Sequence, residues 1–207
     1  MSFDIRANIE DLKRLLPAIQ AVPKGLDTAV ARALNKTITG ARTDAVAMIR
    51  RDYNLKAGLI RADLRIIRAS ASKLQAVLRG EGSPGIVMID SGVLPRRVPS
   101  TVRTKGRYTP AVGISAMIKK GKRTTFPGAF VARMPSGHVG VFLRREDGSR
   151  MRSKNRVAIR QMYGPSAIKL LAGDRYDEEL ENKIEERWEK DLQHEARNVL
   201  RKAGLLK

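Results

Sequence analysis

The sequence predicts an α+β fold in which N-terminal helices and a long C-terminal helix pack on a mainly antiparallel β-sheet with long basic loops. Three observations carry that expectation. Apolar residues recur at helical spacing near both ends of the chain, short β-rich runs fill the middle, and two stretches dense in Lys and Arg separate those runs. Helices bracketing an antiparallel sheet make an α+β domain. With 207 residues, 42% of them hydrophobic, the chain is long enough to bury a core. It reads as a single domain, helical over 1–63, β-sheet with basic loops over 64–162 and helical again over 163–207.

Ile5, Ile9, Leu12, Leu15/Leu16 and Ile19 follow a helical period, which predicts a first amphipathic helix from about Asp4 to Ala21. Val22-Pro23-Lys24-Gly25 breaks it. A second helix, capped near Asp27, carries the stripe Leu26, Val30, Ala33/Leu34, Ile38, Ala41, Ala45 and Met48/Ile49 to about Arg51. A short third helix covers roughly Leu55 to Asp63. Strands are expected at Leu64–Ala69, Lys73–Arg79 and, as a short buried run, Ile86–Ile89, with a turn over Gly80–Gly85. Pro95–Arg107 shows no period and reads as a loop. Val112–Lys119 resumes the sheet, and Lys120-Gly121-Lys122-Arg123 reads as a basic turn.

The clearest β signal is a hairpin, Phe126–Met134 and His138–Arg145 about the turn Pro135-Ser136-Gly137. Asp147-Gly148 is a second turn signal, Arg150–Arg156 a second basic loop, and Val157–Met162 a returning strand. Gly164-Pro165-Ser166 ends the sheet, and a helix can start at Ala167. The last helix spans about Asp177 to Ala203. Its stripe is Leu180, Ile184, Trp188, Leu192, Ala196, Val199/Leu200 and Ala203, so Trp188 is expected to be buried. Acidic residues crowd its first turns and basic ones its last, as the helix dipole favours.

Charge narrows the function. There are 41 Lys/Arg against 21 Asp/Glu, a net of +20. Arg96 to Arg160 holds seventeen Lys/Arg against Glu146 and Asp147, a net of +15. Such a concentration attracts polyanions, whereas solubility alone is served by mixed signs. The two loops supply the candidate DNA- or partner-contacting residues: Arg96, Arg97, Arg103, Lys105, Arg107, Lys119, Lys120, Lys122 and Arg123, then Arg150, Arg152, Lys154 and Arg156. Tyr108 is the one aromatic among them, which argues for phosphate contact or acidic protein surfaces over base stacking.

Catalytic, metal and cofactor sites are not expected. Cysteine is absent, which excludes disulfides and thiolate chemistry. No phosphate-binding glycine loop or nucleophile elbow occurs, and His194-Glu195 lacks the second histidine of a zincin helix. His194 reads as the polar flank of the last helix, and His138 as exposed or structural. Asp177-Glu178-Glu179-Glu181-Glu185-Glu186 reads as a solvated helix face. The longest charge-free stretch, Tyr108–Ile118, is eleven residues, too short to span a bilayer, and the N-terminus lacks a signal-peptide pattern. The expectation is therefore a soluble, non-exported protein with no membrane partner.

The order of three stretches resembles the minor tail protein Z family of lambdoid long-tailed phages, the tail-completion proteins. The first is Ala31-Arg32-Ala33-Leu34-Asn35-Lys36-Thr37, continuing through Asn54-Leu55-Lys56 to Leu64-Arg65-Ile66. The second is Pro127-Gly128-Ala129-Phe130-Val131 with Val139–Arg145 behind its turn. The third runs from Val157-Ala158-Ile159 through Gly164-Pro165-Ser166 into the charged C-terminal helix. The chain departs from the family's Tyr-Pro-Ile strand entry, having Arg156-Val157-Ala158-Ile159 there.

The resemblance implies a virion protein, assembled in the host cytoplasm, that finishes the head-proximal end of the tail and joins it to the head. It implies the tail-terminator protein, the tail tube and head–tail connector proteins as partners. A homo-oligomeric, hexameric ring around non-specifically contacted double-stranded DNA would follow from tail symmetry. Two other classes stay open on the residues alone. One is a nucleoid-type or regulatory DNA-binding protein using the helix corner Asn54–Arg68, although a short helix running straight into a strand suits a packing corner better. The other is an assembly scaffold absent from the particle.

Overall fold

The computed structural model describes residues 2–6, 16–80, 85–94, 113–145 and 158–206. The fold is α+β. Along the chain run β1 (Ser2–Arg6), α1 (Leu16–Gln20), α2 (Gly25–Asp52), α3 (Ala57–Asp63), β2 (Leu64–Ile67) and β3 (Gln75–Gly80). A 3-10 helix (Met88–Asp90) precedes β4 (Ile114–Lys119), β5 (Lys122–Phe126), β6 (Phe130–Arg133), β7 (Val139–Arg144) and β8 (Ile159–Gln161), and α4 (Ala167–Leu171) and α5 (Asp174–Lys202) follow. Among the described residues the β content is wholly antiparallel and divided among three small sheets, ordered β1-β3-β2, β4-β5 and β6-β7-β8. Two compact units are built from interleaved segments: unit 1 from 1–49, 61–82 and 167–207, unit 2 from 50–60 and 83–166.

Unit 1 is organised by the two long helices. Val30, Leu34, Ile38, Ala41, Ala45 and Ile49 repeat every three to four residues on α2 and are fully buried. The α5 stripe Leu180, Ile184, Trp188, Leu192, Ala196 and Leu200 is buried as well, Trp188 at 6% exposure. Ala203 is exposed, because the helix ends at Lys202. Arg187 donates to both carboxylate oxygens of Asp44, at 2.6 and 2.8 Å, while Lys36 meets Asp191 at 2.9 Å and the Thr37 hydroxyl donates to the same carboxylate at 3.1 Å. These contacts order α2 and α5 side by side in opposite directions. The Asp44 hydrogen bond pushes the Arg187 guanidinium further above its ordinary range, against the opposing effect of desolvation.

The sheet of unit 1 is tied in locally. Asn35 clamps the backbone of Ala69, donating to its carbonyl at 2.9 Å and accepting from its N–H at 2.8 Å. Asp63 accepts a hydrogen bond from the Ala167 N–H and so closes the start of α4. Gly80, at the end of β3, has no room for a Cβ, which would collide with Ile168 of α4.

Two expectations fail here. Ser2–Arg6 is a strand, where a helix was expected from Asp4: its register sets Phe3 opposite Leu78 and Ile5 opposite Ala76. The run alternates polar and apolar residues, and pairing with β3 supplies main-chain partners that an isolated helix end lacks. Ile86–Ile89 is not a strand. Val87 makes one bridge to Tyr163, after which Asp90 and Ser91 N–H groups bond back to Val87 and Met88 carbonyls in 3-10 fashion. Met88 and Ile89 are both buried, so the expected burial is met although the run turns instead of extending.

Unit 2 has its own core, made by Met88, Ile89, Val93, Ile114, Ala116, Ala129, Val131 and Val141, with Phe126, Leu143 and Met162 packed against it. The expected hairpin is present as β6–β7, with Gly137 at φ 83° in the turn. Phe126 belongs instead to the end of β5, opposite Ile114. Beside that pair Gly113 sits at φ 82°, and a Cβ there would run into the Phe126 carbonyl, so only glycine serves.

Candidate functional site

The basic candidates divide by region. Arg96, Arg97, Arg103, Lys105, Arg107, Arg150, Arg152, Lys154 and Arg156 lie outside the described residues. Lys119, Lys120, Lys122 and Arg123 are described, and all four are exposed at the tip of the β4–β5 hairpin. The expected basic turn 120–123 is shorter than that: Lys120 and Gly121 make it, with Gly121 at φ 75°, while Lys122 and Arg123 already belong to β5. The reason is register, since Lys119 pairs with Lys122 and leaves only two residues to close the loop.

Several contacts hold the hairpin. The Lys120 N–H donates to the Asp52 carbonyl at 2.9 Å, and the Asn54 N–H donates to Ile118 O at 2.9 Å. The Lys119 ammonium lies 5.7 Å above the Tyr53 ring. Arg123 reaches back across β4, Nη1 donating to Gly92 O at 3.1 Å and to Ser115 Oγ at 3.2 Å. Lys120 and Lys122 are thus left exposed at a tip whose other two cations are engaged, Lys119 by the Tyr53 ring and Arg123 by carbonyl and hydroxyl oxygens. No Asp or Glu occurs anywhere in the 55 residues 91–145, which carry twelve Lys/Arg. The run is of one sign, although Asp52 at the end of α2 borders the tip through its carbonyl.

Reasoning from the loops overlooked other cations of the same unit. Arg144 stacks its guanidinium 5.5 Å over the Phe130 ring across β6–β7, and Arg133 bonds Gly137 O at 3.5 Å. The signal for them is the acid-free run itself, not loop position. A second basic surface lies on α5 of unit 1, where Lys190, Gln193, His194, Arg197, Asn198 and Arg201 line a shallow open groove. His194 is exposed there and meets Asn198 Nδ2 at 3.1 Å. Acidic residues crowd the same helix, so its field is mixed.

The Asn54–Arg68 corner is held as packing. Leu55, Ile60 and Leu64 are buried, and Lys56 is bound to Asp90 at 2.6 Å. Its helix, α3, has seven residues and passes directly into β2. Among the described residues no group of three His, Asp or Glu could hold a metal ion, and no helix is long and apolar enough to cross a membrane.

No curated protein and no solved structure matches this chain. A family model does, over nearly the whole length: with residues 6–204 matched to prophage minor tail protein Z (GPZ), the chain belongs to that family and is a structural component of a phage tail.

Proposed function

We propose that this protein completes the head-proximal end of the tail and supports joining of the tail to the DNA-filled head, as one subunit of a ring around the DNA channel. Its neighbours there are the tail terminator, the tube and the connector proteins, and its role is structural, without catalysis. The observation that carries this reading is the segregation of charge. Unit 2 holds twenty Lys/Arg against four Asp/Glu, a net of +16, whereas unit 1 holds twenty-one against seventeen, a net of +4. A channel wall faces a rod with one phosphate charge per ~1.7 Å of axis, and it must attract that rod without reading its sequence. A one-signed surface with few aromatic platforms meets both requirements. A closed rotation of identical subunits brings such surfaces together around one axis.

Deleting the gene from an inducible prophage tests the position. Filled heads and tails of normal length are expected, with few joined infectious particles, because a completion factor acts after tube length is set. Tails of variable or excessive length would assign the protein to length control instead and overturn the reading.

A further inference from the structure

β5 is an edge strand whose outer side is open among the described residues. β4 is occupied on both sides: β5 lies along one, while Leu94 exchanges both backbone hydrogen bonds with Ser115, at 2.8 Å each, on the other. The Met117 N–H also turns away from β5, to Ser91 O at 2.9 Å. Antiparallel ladders alternate bonded and non-bonded pairs. Since Ser115 points its polar groups at Leu94, its partner Thr125 points its own N–H and C=O away from β4. The register shift between Ala116 and Lys119 puts the extra residue in β4, so along β5 Arg123, between the paired Thr124 and Lys122, turns its groups outward as well. Lys122 to Thr125 are all exposed, so among the described residues no strand pairs with this edge, and native sheets seldom leave one bare.

A second observation says what suits that edge. The register sets Lys119 directly opposite Lys122, a like-charged pair that destabilises a hairpin unless an anion is shared between them. Lys120 adds a third charge at the turn; the run 91–145 holds no carboxylate, and Asp52, whose carbonyl takes the Lys120 N–H, shares its own carboxylate with Arg51 at 3.6 Å. We propose that the outer edge of β5 takes an added strand from an acidic partner, an extended peptide segment with Asp or Glu at alternate positions. Its main chain pairs with Arg123 and Thr125, and its carboxylates reach Lys122 and Lys120.

A second copy of this chain fits poorly, because its β5 brings Lys122 and Arg123 to the same place. Nucleic acid meets the lysines but fits the strand edge itself poorly: phosphates only accept hydrogen bonds and leave the two outward carbonyls without donors, whereas a peptide strand serves both groups. Such a surface suits the joining role proposed above but does not rest on it, and the test reads binding, not assembly.

The test titrates isotope-labelled full-length protein with a capped peptide of alternating Val and Glu, using a Val/Lys peptide and duplex DNA as comparison probes. Hydrogen exchange at the Arg123 and Thr125 amides should slow about tenfold or more with the Val/Glu peptide alone. Thr125→Pro removes an outward N–H and no bond to β4, so it should weaken that binding by about tenfold while the thermal melt stays in place. Absent protection overturns the proposal, as does equal protection by the Val/Lys peptide or undiminished binding by Thr125→Pro. DNA binding abolished by Thr125→Pro would give the edge to nucleic acid. A dimer abolished by the same change would give it to a second copy. If Thr125→Pro does not fold, amide protection in the unaltered protein decides alone.

Discussion

The two units carry nearly equal numbers of cations and use them differently. In unit 1, twenty-one Lys/Arg share space with seventeen carboxylates, and the charges join its elements, as Arg187 to Asp44 and Lys36 to Asp191 join α5 to α2. In unit 2 twenty cations meet four carboxylates: Lys56 takes Asp90 and Arg51 meets Asp52, while other described cations turn to carbonyls and ring faces, as Arg123 does to Gly92 and Ser115, Arg144 to Phe130 and Lys119 to Tyr53. Repulsion among like charges works against a compact state. Unit 1 is therefore stabilised by its own charges, while unit 2 holds a surplus that only an anion from outside can balance.

The comparison breaks first if the helical seam of unit 1 is not its core. Trp188→Ala should destabilise the protein by about 3–5 kcal/mol, read as a shift of the helix signal in urea. An unchanged midpoint would mean that α5 is held by its ion pairs and not by its stripe. Next in size is the contact of β3 with α4. Gly80→Val forces a side chain into Ile168, and the overpacking should cost about 1–3 kcal/mol in the same assay. Asp63→Ala removes the carboxylate that closes the start of α4 and should cost about 1 kcal/mol, with Asp63→Asn retaining most of it. A loss as large as that of Trp188→Ala would mean that Asp63 organises far more of unit 1 than one helix end.

Local pattern was legible where it is long. The helices α2 and α5 each run for more than seven turns with their apolar stripes repeating along most of that length, and the β6–β7 hairpin carries its own turn signal. What local pattern could not give is pairing across distance. β1 is a strand because β3 lies beside it some seventy residues away in sequence, and nothing within Ser2–Arg6 names that partner. Val87-Met88 turns instead of extending because its one bridge goes to Tyr163. The candidate site divides likewise. The cations Lys119, Lys120, Lys122 and Arg123 stand in the sequence, but the open edge of β5 does not, since it depends on Leu94 occupying the far side of β4.

The smallest effect on stability belongs to the surface charges, and it sharpens the comparison most. Lys119, Lys120 and Lys122 can be replaced by Gln in unit 2, and Lys190, Arg197 and Arg201 by Gln in unit 1. Each variant loses three positive charges, so any effect of net charge alone is the same in both. Stability should stay within about 0.5 kcal/mol in each, because exposed charges away from buried features contribute little. Their binding to non-specific duplex DNA should separate them. Each lost phosphate contact flattens the plot of log K against log salt by roughly 0.9, so the unit 2 variant should show a visibly shallower slope. The α5 groove shares its helix with ten acidic residues between Asp174 and Glu195, which offset its attraction for phosphate, so the unit 1 variant should keep the parental slope. Equal slopes in the two variants would show that only the overall charge of the chain matters, and the division of labour between the units would fall.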